Sequence, residues 1–158
     1  SAGGYTTLAA LAFRDVFSAG TSYFGIGDLE AMAKETHKFE SRYLGGLIGP
    51  YPEAKATYIA RSPIHHVDGL SSAMILFQGL DDKVVPPNQA QMMADAVREK
   101  GLPVALFLYE GEGHGFRKAE NIERTVTAEL SFYAQLFDFT PADDIEQIVI
   151  DNLVTAAR

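Results

Sequence analysis

The sequence predicts an α/β fold built on a mostly parallel sheet. Strand-like and helix-like segments alternate along the chain, and short turns rich in Gly and Pro separate them. Two of the strand-like runs, Ala73–Gln78 and Val104–Tyr109, read as continuous apolar stretches instead of alternating with polar residues. A strand of that kind is covered on both faces, and helices flanking a parallel sheet provide that cover.

Taken in order, Tyr5–Val16 reads as a helix, rich in Ala and Leu and free of Gly and Pro. Ala19–Phe24 is a short strand ending in the turn Gly25-Ile26-Gly27-Asp28. The Asp28 carboxylate is placed to cap a helix starting at Leu29. Lys38–Ser62 should hold two short helices, broken by Gly45-Gly46 and by Gly49-Pro50-Tyr51-Pro52. Ala73–Gln78 is the first buried strand. Pro87–Lys100 is a helix opened by Pro and closed by Gly101, and Val104–Tyr109 is the second buried strand. A long helix over Ala119–Phe137 follows, with Leu130, Tyr133 and Leu136 on one side. These elements make up a body of residues 1–139. The remainder, 140–158, reads as an added amphipathic helix over Thr140–Ala157, capped by Thr140, with Pro141 in its first turn and Asp143 and Asp144 at the positive end of its dipole. Ile145, Ile148, Val149 and Leu153 form its apolar stripe, suited to packing on the body, on another domain or on a second subunit of a homo-oligomer.

Composition narrows the function. The 158 residues are 47% apolar, enough for one domain with a core and too few for two. A net charge of −8 with no cluster of Lys and Arg argues against nucleic acid. No apolar run nears the roughly 18 residues that would suggest a membrane span. The absence of cysteine excludes disulfides and thiolate metal sites and leaves the compartment open. Three strands leave one side of a parallel sheet uncovered, so something beyond these elements is expected to complete it.

Three loops carry groups suited to catalysis. Ser1-Ala2-Gly3-Gly4 directly precedes a helix. A nucleophilic serine needs a sharp strand-to-helix turn with small neighbours, so that the next amide faces a developing oxyanion. Gly79-Leu80-Asp81-Asp82-Lys83-Val84-Val85-Pro86 follows a strand and offers an acid to orient an imidazole. Glu110-Gly111-Glu112-Gly113-His114-Gly115-Phe116 follows the next strand, and its glycines let His114 project over a cleft. The order Ser, Asp, His, with each member just past a strand position, is that of α/β-hydrolases, whose sites lie at the carboxyl ends of the strands. His65-His66 adjoin in a Pro/Asp/Gly loop without the helical spacing of metal ligands, and Gly25-Ile26-Gly27 does not continue into a dinucleotide fingerprint. No metal or cofactor is implied.

Ser1-Ala2-Gly3-Gly4-Tyr5, Asp81-Asp82-Lys83-Val84-Val85-Pro86 and Gly113-His114-Gly115-Phe116 together resemble the prolyl oligopeptidase family of serine peptidases, from Ser1 to about Phe139. The resemblance implies the C-terminal part of an α/β-hydrolase catalytic domain, with Ser1 as nucleophile, His114 as general base and acid, and the Ala2 amide as an oxyanion donor. The family's acid lies three residues before the first Val of its loop, which selects Asp81 over Asp82. By the same resemblance Lys83 and Val84 contact substrate, and Ile26 and Leu29 line an apolar specificity pocket. The family's second oxyanion donor, its remaining hydrolase strands and its gating β-propeller belong upstream. The isolated chain is therefore expected to be an inactive part of a larger peptidase acting near the N-terminus of short peptides. A carboxylesterase or thioesterase with the same triad, or a non-catalytic α/β interaction module, are the competing readings.

Overall fold

The computed structural model describes residues 1–35 and 43–154. In chain order its elements are α1 (Ala2–Phe13), β1 (Ala19–Tyr23), α2 (Leu29–Glu35), α3 (Tyr43–Ile48), α4 (Lys55–Arg61), a 3₁₀ segment (Pro63–Gly69), β2 (Ala73–Gly79), α5 (Asn88–Glu99), β3 (Val104–Tyr109) and α6 (Ala119–Phe137). The strands form one parallel sheet in the order β1-β2-β3. Tyr23 lies beside Phe77 and Gly79 beside Tyr109, so all three strands end at the same edge.

The apolar run Ala73–Phe77 of β2 follows from its central place. Met74 and Leu76 point into a core shared with Leu8 and Leu11 of α1 and Met93 and Val97 of α5. Ala73, Ile75 and Phe77 point the other way, into a core shared with Ala128 and Phe132 of α6. Between strands and helices the chain runs α1-β1 and β2-α5-β3-α6, the short crossovers a parallel sheet requires. A third cluster packs α2, α3 and α4 around Leu29, Met32, Leu44, Tyr58 and Val85.

Several expectations change. The helix expected from Tyr5 begins at Ala2, so Ser1 takes its N-cap position. Gly45 and Gly46 do not break a helix: α3 runs through them, and nothing lies where their side chains would be. The expectation for residues 38–42 lies outside the described residues. In α6 the buried face is Thr125, Ala128, Ser131 and Phe132, while Leu130 is exposed.

The largest difference is the tail. Residues 140–154 form no helix. Ile148 and Leu153 pack on the α6-side core and Ile150 is buried in it, while Val149 between them is 85% exposed. That alternation is the period of an extended chain, suited to the β-branched run Ile148-Val149-Ile150. The backbone groups of Asp151 and Val104 exchange hydrogen bonds of 2.9 and 3.0 Å in an antiparallel bridge. The outer edge of β3 thus supplies partners a helix would have declined.

Candidate active site

Glycines bring the loops at the carboxyl edge together. A side chain at Gly4 would come within 2.5 Å of the Tyr23 carbonyl oxygen and 2.6 Å of the Gly25 Cα, so α1 starts with its backbone against the end of β1. This seats Ser1 at the carboxyl edge. Its hydroxyl makes no cap hydrogen bond to the helix it precedes, and Ala2 contributes a first-turn amide with no acceptor within the helix. Gly79 plays the same part between the other two loops. A Cβ there would meet the Glu112 carbonyl and lie 2.6 Å from the Gly113 carbonyl. The Asp81 N–H donates to the Glu112 carbonyl at 2.9 Å and the Leu80 N–H to the Tyr109 carbonyl at 2.9 Å, which locks the loop after β2 to the loop after β3.

That docking decides which acid meets the histidine. His114 Nδ1 lies 2.8 Å from Asp82 Oδ2. Asp81, the acid expected from the Val84 spacing, spends its amide on Glu112 and points its side chain outward, so the count of three runs from Val85 instead. Asp82 turns inward. Its Oδ1 accepts the Val84 and Val85 amides at 2.8 and 2.9 Å, a side-chain-to-backbone turn that also shapes the loop. Its Oδ2 accepts the Gln78 side-chain amide at 3.1 Å. The Asp82 side chain is fully buried and the imidazole 26% exposed, so the pair is shielded on its acid side and reachable on the other.

The histidine loop is pinned from behind. Glu112 is buried, and its carboxylate accepts the Asn121 side-chain amide at 2.9 Å and the Arg117 and Lys118 amides at 2.9 and 3.0 Å. Those contacts, Asn121 foremost, hold its pKa below the usual value against the opposing effect of burial. Gly115 has φ +97°, and its backbone bridges to Gly113 across His114, a tight reversal that favours glycine.

Sequence reasoning missed two side chains here. Gln78, fully buried at the end of β2, donates to Asp82 Oδ2 and to the Val85 carbonyl, both at 3.1 Å. Its signal was the one polar residue closing an apolar run. Phe24 directly follows β1 with φ +42°, a conformation costing a bulky residue on the order of 1–3 kcal/mol. Its ring lies 5.1 Å from the imidazole of His114. Nothing in the local pattern marks it.

The residues expected to bind substrate are placed unevenly. Lys83 is exposed on the acid loop. Val84 and Ile26 are partly buried against the third cluster, side by side with its core. Leu29 is 3% exposed and packs in the core of that cluster. A cavity of about 920 Å³ lies between the end of α6 and the tail, and Ser1, Asp82 and His114 take no part in its walls.

Comparison with known proteins matches the prolyl oligopeptidase family over residues 1–140. The chain belongs to this family. Dipeptidyl aminopeptidase BIII of Pseudoxanthomonas mexicana is 28% identical over 141 residues, covering 85% of this chain and 20% of that protein. Among solved structures, a puromycin-hydrolyzing peptidase of Mycobacterium tuberculosis superimposes with a TM-score of 0.91 at 50% identity, covering 96% of this chain and 23% of that one. A crystallised puromycin hydrolase gives 0.89 at 41% identity, over 94% of this chain and 22% of that one. The fold is that of α/β-hydrolases, and the chain spans about a fifth of the length of these relatives.

Proposed function

We propose that this chain carries the catalytic triad of a serine peptidase, with Ser1 as nucleophile, His114 as general base and acid, and Asp82 as the orienting acid. The observation that carries the reading is the 2.8 Å contact between His114 Nδ1 and a fully buried carboxylate, at the sheet edge where α1 begins. Asp82 holds the tautomer with the proton on Nδ1, leaving Nε2 to accept the proton of the Ser1 hydroxyl as Oγ attacks the substrate carbonyl. The Ala2 amide donates to the developing oxyanion. The imidazolium returns its proton to the leaving amine as the C–N bond breaks; water, deprotonated at Nε2, then attacks the acyl-serine, the C–Oγ bond breaks with that proton passing to Oγ, and the acid is released.

The substrates proposed are short peptides and aminoacyl amides cut near their N-terminus, by likeness to proteins named for dipeptidyl aminopeptidase and puromycin-hydrolyzing activities. The proposed partners are the upstream hydrolase strands, a second oxyanion donor and a gating β-propeller, all within a longer protein. Fluorophosphonate labelling of that full-length protein, with the adduct located by mass spectrometry, tests the reading. A label on Ser1 that disappears in His114→Ala is expected. A folded full-length protein that takes no label would sink the hydrolase reading and restore the non-catalytic module. Rates on puromycin, dipeptidyl amides and simple esters then separate peptidase from esterase.

A further inference from the structure

The polar contact to Asp82 fixes one atom of the His114 ring. One hydrogen bond fixes a point and not a plane: the imidazole can still rock about the line from Nδ1 to the carboxylate and swing Nε2 away from its target. The aromatic side chain against it is Phe24, 5.1 Å away and tilted by 54°.

Phe24 reaches that position against the grain of its strand. Along β1, Ser22 faces α1, with its hydroxyl 3.5 Å from the Gly4 carbonyl, and Tyr23 faces the opposite core, 5.2 Å from Phe77. Alternation would send Phe24 back toward α1. There the backbones of Gly4 and Gly25 are in contact, and no ring fits. The left-handed turn at φ +42° sends the ring to the Tyr23 side instead, while the Phe24 N–H still donates to the Phe77 carbonyl at 2.9 Å. Two successive aromatics thereby share one side of the sheet.

Once there, Phe24 closes a circuit of aromatic rings. Tyr23 meets Phe77 at 5.2 Å, Phe77 meets Phe107 at 5.3 Å, and Phe107 meets Tyr109 at 6.4 Å. Tyr109 meets Phe116 at 4.9 Å, and Phe116 meets Phe24 edge-on at 5.2 Å. Phe24 returns to Tyr23 at 6.0 Å. Besides Phe24, the circuit takes one ring each from β1 and β2, two from β3 and one from the histidine loop, so the wall facing His114 is braced by the whole carboxyl edge. Edge-to-face packing favours one arrangement of neighbouring rings over others, which makes such a wall directional.

We propose that Phe24 is a positioning residue that fixes the plane of the His114 imidazole, and that its left-handed backbone is retained because it delivers the ring there. The proposal rests on the triad reading above. The test uses the full-length protein with Phe24→Gly, Phe24→Leu and Phe24→Tyr, measuring kcat, KM, thermal stability and the downfield proton signal of the His114 Nδ1–H.

Glycine accepts the positive φ, which offsets part of the packing lost with the ring, so Phe24→Gly should fold with a lowered melting temperature while losing the wall; Phe24→Leu carries the test if Phe24→Gly fails to fold. Both should lower kcat by about 10- to 100-fold with KM little changed, the scale of a small misplacement at a reacting centre. The Nδ1–H signal should broaden or vanish. Phe24→Tyr keeps the ring and should restore both. Wild-type kcat with an unchanged Nδ1–H signal in Phe24→Gly or Phe24→Leu overturns the proposal, as does a rise in KM alone. The proton signal separates this idea from the one beneath it. A signal that responds to Phe24 in a protein whose Ser1 takes no fluorophosphonate refutes the hydrolase reading and leaves the positioning role standing.

Discussion

The carboxyl edge of the sheet and the outer edge of β3 are joined to the rest of the chain by different kinds of contact. At the carboxyl edge backbone meets backbone: Gly79 against the carbonyls of Glu112 and Gly113, and Gly4 against Tyr23 and Gly25. At the β3 edge the tail is held by the apolar side chains of Ile148, Ile150 and Leu153, by one bridge at Val104, and by an Arg98–Asp151 ion pair at 2.8 Å. Side chains can repack around a change, whereas two touching backbones have no slack. The site is therefore built where the chain tolerates least and the tail where it tolerates most.

The sharpest way to break this comparison lies at the acid loop. In the full-length protein Asp82→Asn should lower kcat by about 10⁴-fold, because the amide favours the wrong imidazole tautomer. Asp81→Asn should leave it near wild type, and the reverse ranking would mean that the buried carboxylate is not the working one. Next comes Gly79→Ala. One methyl group pressed against two carbonyls should cost about 3 kcal/mol and draw the histidine loop away from Asp82, visible as a lower melting temperature together with lost labelling of Ser1.

On the tail the expected effects are smaller. Ile150→Ala should cost about 2 kcal/mol in thermal unfolding, since the lost side chain leaves a space beside the core that the irregular tail can partly close. Val149→Ala should fall within about 0.5 kcal/mol. Equal losses at the two positions would restore the helical stripe. The smallest effect is electrostatic. Glu30 accepts from Lys34, Tyr51 and Lys55, and these contacts, Lys34 foremost, hold its carboxyl at about 2 against an ordinary value of 4.5. A depressed pKa stabilises the fold above the ordinary value and ceases to do so as pH falls toward the folded one. The stability difference between wild type and Glu30→Gln should therefore shrink between pH 5 and about 2, and a difference that stays constant over that range would count against the ion pair.

Much of this architecture was legible in the sequence where local pattern and tertiary demand agree. Ala73–Phe77 is apolar because both faces of β2 are covered, whereas β3 is covered only in part, with Leu108 exposed; Asp28 caps α2 through Glu30 and Ala31 at 2.9 and 3.0 Å as its position suggested. The loops carrying Ser1 and His114 were legible for the same reason: glycine spacing reflects backbone need. The choice between Asp81 and Asp82 was not, because it depends on how Gly79 docks against residues more than thirty positions away. The tail misled because Ile145, Ile148, Val149 and Leu153 fit a helical stripe almost as well as Ile148 and Ile150 fit an extended one. An open strand edge broke the tie, and no window of local sequence contains it. Phe24 was invisible because its conformation answers a steric conflict on the other side of the strand.

The strap along β3 also bears on how this protein behaves when damaged. A strand edge with free amides and carbonyls is a template for the strands of other molecules. In the intact chain the tail occupies part of that template at Val104 and shields the apolar residues behind it. The stretch over 140–147 leading to it is largely exposed and without regular structure, the kind of segment proteases cut. A single nick there would leave every group of the candidate triad in place while uncovering an adhesive edge, so a clipped preparation should lose solubility before it loses its chemistry.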